Sequence, residues 1–103
     1  MQTDAFAILV EPARRNLLDA LRNGELSVND LVRKLRLPQP SVSKHLKVLR
    51  EAGFVKSRSA AQQRLYRLEP ARLQAIDAWL GPYRELWTRH LDKLERHLDR
   101  MEE

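Results

Sequence analysis

Apolar residues recur at helical spacing in four successive stretches of this chain before the rhythm changes. Thr3 to Val10 is short and apolar, and Glu11-Pro12 interrupts it. From Ala13 the pattern resumes through Leu17, Leu18 and Leu21, and Asn23-Gly24 supplies the left-handed exit with which helices commonly end. Ser27 then offers an N-cap with Asp30 three residues on, as in a capping box, and Val28, Leu31, Val32 and Leu35 supply an inward stripe. That helix has to stop by Leu37, because the residue before Pro38 is steered away from helical dihedrals. The next stretch, QPSVSKHLKVLR from Gln39 to Arg50, sets Val42, Leu46 and Leu49 on one face and Ser43, Lys44 and Lys47 on the other. Pro40 suits an early helical position, where its missing N–H has no intrahelical partner to lose, and Ala52-Gly53 closes the helix.

The period then shortens. Phe54 to Arg58 and Arg64 to Leu68 hold the strand formers Val55, Leu65, Tyr66 and Leu68, and Ser59 to Gln63 separates them, which predicts a β-hairpin. Arg58 and Arg64 stand on either side of its tip. Beyond Glu69-Pro70 the chain is helical to its end, with Gly81-Pro82 as a break or kink. Ile76, Leu80, Tyr83, Trp87, His90, Leu94, His97 and Met101 keep a strict 4,3 spacing, and Leu91 and Leu98 widen the seam. So long an apolar seam has too little domain left to cover it, and a second copy of the chain is the economical cover. The competing reading folds the terminal helices back onto their own core.

Composition narrows the function. A chain of 103 residues, 43% hydrophobic and 32% charged, amounts to one globular domain. No stretch approaches the ~20 apolar residues of a membrane span, and no secretory signal is expected at the N-terminus. The absence of cysteine removes disulfides, thiolate metal sites and cysteine nucleophiles, and makes the cytoplasm the expected compartment. Three glycines, with no glycine-rich phosphate loop and no paired acids, argue against an enzyme. The net charge of +5 is unevenly spread: residues 33 to 67 hold ten cations (Arg33, Lys34, Arg36, Lys44, Lys47, Arg50, Lys56, Arg58, Arg64 and Arg67) against one anion, Glu51. Cations gathered around one candidate helix are an electrostatic footprint for phosphate.

Helix Val28 to Leu35, a tight turn over Arg36 to Pro38 and a helix from Gln39 make a helix-turn-helix, whose second helix lies in the DNA major groove. A hairpin with cations near its tip directly afterwards is a wing, suited to phosphate or minor-groove contact. Together the stretches EPARRNLLDALRNGELSVNDL, LRLPQPSVSKHLKVLREAGFV and RLYRL resemble the ArsR-type family of winged-helix bacterial repressors over nearly the whole chain. The resemblance implies a mainly α fold with a small β-hairpin, in which terminal helices at about 1–10 and 70–101 dimerise. It places the helix-turn-helix at about 27–52 and the wing at about 54–68. It also implies an inverted-repeat operator on double-stranded DNA, and repression by excluding polymerase. Carried over residue by residue, it assigns Gln39, Ser41, Ser43, Lys44 and His45 to bases or nearby phosphates, and Arg58 and Arg64 to the DNA backbone; Lys47, on the same cationic face of the helix, joins the DNA-binding residues. Phe6, Leu80, Tyr83, Trp87, Leu91, Leu94 and Leu98 fall to the dimer interface.

Departures from the family pattern carry expectations of their own. The usual Ser or Thr cap before the groove helix is Pro38 here, so Gln39 is expected to take over the capping position. The wing tip lacks the family's glycine. A Cys-Val-Cys metal site is replaced by Ser27-Val28-Asn29. His90 and His97, about 10 Å apart along one helix, lack the Asp-x-His spacing of the family's other metal site, and with Asp92 and Glu102 they read as interface rather than metal ligands. No metal or other cofactor is expected. An unidentified small-molecule effector would lie near Trp79, Tyr83 and Trp87, although such a cluster also reads as packing. The alternative function is a protein-interaction module or a non-specific architectural DNA binder.

Overall fold

The computed structural model describes residues 4–102 and divides the chain into two units, the first ending at Leu73 and the second beginning at Gln74. Helix α1 spans Ala5–Leu9, short of the Thr3–Val10 stretch, and Thr3 lies outside the described residues. Helix α2, Pro12–Ala20, starts one residue before the expected Ala13, with Glu11 as N-cap and Pro12 in its first turn. A 3-10 turn over Leu21–Asn23 finishes it before Gly24. Two arginines of α2 reach back across the junction. Arg14 Nε donates to the Ile8 carbonyl at 2.7 Å and Arg15 donates to the carbonyls of Leu9 and Val10, so α2 supplies the donors that the C-terminus of α1 lacks.

Helix α3, Val28–Leu35, opens on the expected capping box: the Asp30 amide donates to Ser27 Oγ at 3.1 Å, and the Ser27 amide donates to Asp30 Oδ2 at 3.0 Å. It ends at Arg36, which takes φ 56° and donates its amide to the Val32 carbonyl. Helix α4 spans Gln39–Glu51. Here the capping expectation is corrected, because Pro38 itself is the N-cap and Gln39 is already helical. With its extended ψ of 145°, Pro38 presents its carbonyl to the amides of Ser41 and Val42 and needs no side-chain cap. At the other end the Gly53 amide donates to Arg50 and the Phe54 amide to Leu49, a Schellman pair for which Gly53 adopts φ 85°.

Two strands follow, longer than expected: β2, Val55–Ala60, and β3, Gln63–Leu68, joined by Ala61-Gln62 alone. A third strand, β1 (Leu26–Ser27), adds to the expected hairpin. It pairs Leu26 with Tyr66 and Ser27 with Leu65, giving an antiparallel sheet ordered β1-β3-β2. The core of this unit gathers Leu17 and Leu21 from the α2 segment, Leu31 from α3, Val42, Leu46 and Leu49 from α4, then Phe54 and Val55. Full burial of each such side chain stabilises by about 1.5–3 kcal/mol.

A 3-10 turn over Pro70–Arg72 leads into helix α5, Leu73–Glu102. Of the expected break or kink at Gly81-Pro82 the break is absent, and one helix runs through Pro82. Proline still removes one amide, so the Ala78 carbonyl loses its intrahelical donor. None of the described α5 residues is buried.

Candidate nucleic-acid interface

Helix α4 packs against α2, α3 and β2. Because Val42, Leu46 and Leu49 are 0% exposed, its rotation about its own axis is fixed. Ser43, Lys44 and Lys47 are thereby turned outward, and Gln39 is exposed in the first turn. Arg50, absent from the candidates, continues the outward face at i+7 from Ser43 and is exposed too. The same spacing that places Lys47 would find it. Ser41 and His45 lie instead on the flank between the two faces, half-buried. His45 Nδ1 is out of contact with water and has no hydrogen-bond partner. Ser43, Lys44, Lys47 and Arg50 therefore form one polar, cationic surface, with Gln39 at its N-terminal edge.

The hairpin sorts its cations by face. Residues directly opposite each other across β2 and β3 point the same way, and successive residues alternate. Arg64 faces with Ser59, whereas Arg58, opposite Leu65, shares the other face with the Lys56 and Arg67 pair. The two wing candidates thus project from opposite faces. Arg58 is also engaged: its Nε and Nη2 donate to Glu25 Oε2 and Oε1 at 2.8 and 2.9 Å. That fork holds the Glu25 carboxyl below its ordinary range and raises Arg58 further. Lys56 lies 3.2 Å from Glu69 and, through that hydrogen bond, lowers the Glu69 carboxyl in the same way. Arg64 has no ion-pair partner among the described residues and is exposed beside the tip.

Behind the wing, the Arg72 guanidinium lies 5.6 Å from the centroid of the Phe54 ring, and its side chain passes 3.2 Å from where a Cβ on Gly53 would stand. A larger residue at the exit from α4 is therefore strained by its φ of 85°, and the Arg72 side chain would have to give by a few tenths of an ångström.

On α5, Leu80, Tyr83, Trp87, Leu91, Leu94 and Leu98 are all exposed, as is Phe6 on α1. Trp79 and Tyr83 pair with ring centroids 4.7 Å apart, and Trp87 and His90 with centroids 5.8 Å apart. Within one chain, no three His, Asp or Glu side chains among the described residues cluster as a metal site would require. No described helix is long and apolar enough to cross a membrane.

Known proteins share these features. Residues 11–57 match the family model described as "Bacterial regulatory protein, arsR family". The HTH-type transcriptional regulator Rv2034 of Mycobacterium tuberculosis is 37% identical over 95 residues, spanning 92% of this chain and 86% of that protein. The Biofilm growth-associated repressor of Agrobacterium fabrum is 50% identical over 60 residues, 58% of this chain and 51% of that protein. Among solved structures, one titled "Crystal structure of Possible transcriptional regulator for arsenical resistance" superposes with a TM-score of 0.70 at 35% identity, covering 92% of this chain and 96% of that one.

Proposed function

Since this chain belongs to the arsR family of bacterial regulatory proteins, a DNA-binding and non-enzymatic family, we propose that it is a homodimeric repressor that reads an inverted-repeat operator. The observation that carries the reading is the outward face of α4, where Ser43, Lys44, Lys47 and Arg50 stand on a helix whose other face is wholly buried. Such a helix enters the major groove as a rigid body, and its small polar first turn brings backbone close to base edges. Ser43 and Gln39 supply base contacts, while Lys44, Lys47, Arg50 and Arg64 supply phosphate contacts. Ser41 and His45, on the flank, support the first turn and reach nearby phosphate.

The exposed apolar face of α5, with Phe6 of α1, supports pairing of two copies. Two groove helices related by a two-fold axis then require two half-sites in inverted order. A dimer seated on a promoter in the cytoplasm represses by occupying the polymerase's place. Neutralising about eight phosphates, about four for each subunit, makes log affinity fall against log salt with a slope near about −7.

Selection of bound duplexes from a random DNA library tests the proposal. The expected product is an inverted repeat with half-site centres about one helical turn apart. Tight, salt-sensitive binding with no enriched sequence would replace the repressor with a non-specific architectural binder.

A further inference from the structure

Given the wing-to-DNA reading above, on which this inference rests, we propose that Glu25 sets the protein's DNA affinity by holding Arg58 in an internal ion pair that a phosphate has to displace.

The two residues come from opposite edges of the sheet. Glu25 directly precedes β1 and Arg58 sits in β2, with β3 between them. Each carboxylate oxygen accepts one guanidinium N–H, so the pair is a parallel two-bond fork. Arginine grips a phosphate with the same geometry, using two N–H groups against two oxygens. Glu25 thus occupies the donors that the DNA backbone would use.

The side chains of Arg58 and Glu25 are 56% and 30% exposed, so a phosphate can reach the guanidinium without the fold opening. Exposed ion pairs add little to stability, little enough for a phosphate to compete for the arginine. Arg67 lies on the same face and its charge also acts on Glu25, which places the carboxylate within a cationic patch rather than at its margin. Lys56 and Glu69 repeat the arrangement at the base of the hairpin. Of the four wing cations, Lys56 and Arg58 are neutralised internally, and Arg64 and Arg67 have no such ion pair among the described residues. The wing consequently binds DNA more weakly than its composition predicts, which leaves a larger share of the affinity to the groove helix and its base contacts.

The test is a double-mutant cycle on the full chain. Wild type, Glu25→Gln, Arg58→Gln and the double variant are titrated onto a labelled duplex at several salt concentrations by fluorescence anisotropy. Glu25→Ala serves as a second removal of the carboxylate, and circular dichroism checks that each variant folds. Glu25→Gln is expected to tighten binding about five-fold for each subunit seated on the duplex, the upper end of what one exposed pair is worth. It should also steepen the salt slope by about two, because the freed Arg58 of each subunit neutralises one more phosphate. Arg58→Gln alone changes affinity less than about two-fold, since Glu25 already holds the two-donor edge of that guanidinium that would grip a phosphate. In the double variant the tightening disappears. If the tightening survives without Arg58, Glu25 acts only through net charge and the proposal fails. If Glu25→Gln weakens binding as Arg58→Gln does, the carboxylate positions Arg58 for DNA, and the proposal is reversed. Loss of salt-dependent binding from wild type itself would bring down the DNA-binding reading beneath it.

Discussion

A side chain that touches a base and one that touches a phosphate fail differently when removed. Ser43 stands on the outward face of α4 near its N-terminal end, and Arg64 beside the wing tip. Ser43→Ala is expected to relax preference at one or two base pairs while barely changing affinity for scrambled DNA. Arg64→Ala should weaken cognate and scrambled duplexes alike and lower the salt slope by about two, one for each subunit. Competition titrations against single-base operator variants separate the two, and equal losses on all DNA from both variants would contradict the division. Acid exposes another residue-level dependence. Hydrogen bonds from the Ser27 amide and hydroxyl hold the Asp30 carboxyl below its ordinary value of 3.8, and Arg58 holds Glu25 below its ordinary 4.5. Groups whose pKa is depressed by folding stabilise the fold above their unfolded values and lose that contribution as pH falls through the folded ones. Urea midpoints should therefore hold steady down to about pH 5 and decline below it, less steeply in Asp30→Asn than in wild type.

At the scale of the elements, legibility follows how many residues each signal spreads over. The capping box of α3, the turn before Pro38 and the Gly53 exit are readable because each rests on side-chain chemistry at a fixed offset. Strand β1 is not, since two residues carry no periodicity and its partner on β3 lies beyond two helices. Arg36 carries no sign of its φ of 56°, because a left-handed cap is ordinarily glycine or asparagine. The tip of the hairpin is shorter than its sequence suggests for the same reason. A two-residue turn needs positive φ, and Ala61 supplies it at 55° without the glycine that would have announced it. Ala61→Gly is expected to stabilise the chain by about 1 kcal/mol by removing the Cβ penalty of a left-handed residue. Thermal melts read the change, and a lowered midpoint would place the strain elsewhere. The candidate site is legible in part: spacing alone puts Ser43, Lys44 and Lys47 on one face. The pairing of Arg58 depends on three strands meeting, which spacing does not encode.

For the molecule as a whole, α5 is the element that carries most of the exposed large apolar side chains among the described residues. Trp87 is 61% exposed and Leu98 59%, among further apolar side chains along the helix. Leu91→Glu or Trp87→Glu should turn a dimer into a monomer in sedimentation experiments. Affinity for a full operator should then fall at least ten-fold, with half-site binding retained. Both tryptophans lie on this helix, so their emission should respond to dilution through the association range and not to changes in the wing. An unchanged sedimentation coefficient in both variants would remove α5 from the interface.

The pairing of Leu26 with Tyr66 ties together two points of the chain with both helices of the DNA-reading motif looped between them. Closing so long a loop is entropically unfavourable before any contact rewards it, and it therefore comes late in folding. α3 and α4 can form and dock first, on local contacts, and the short strand β1 then latches the loop shut. Substitutions at this latch, such as Leu26→Ala, should speed unfolding while leaving the refolding rate nearly unchanged. The motif that meets DNA would assemble early, and the lifetime of the native state would be governed by a two-residue strand remote from it in sequence.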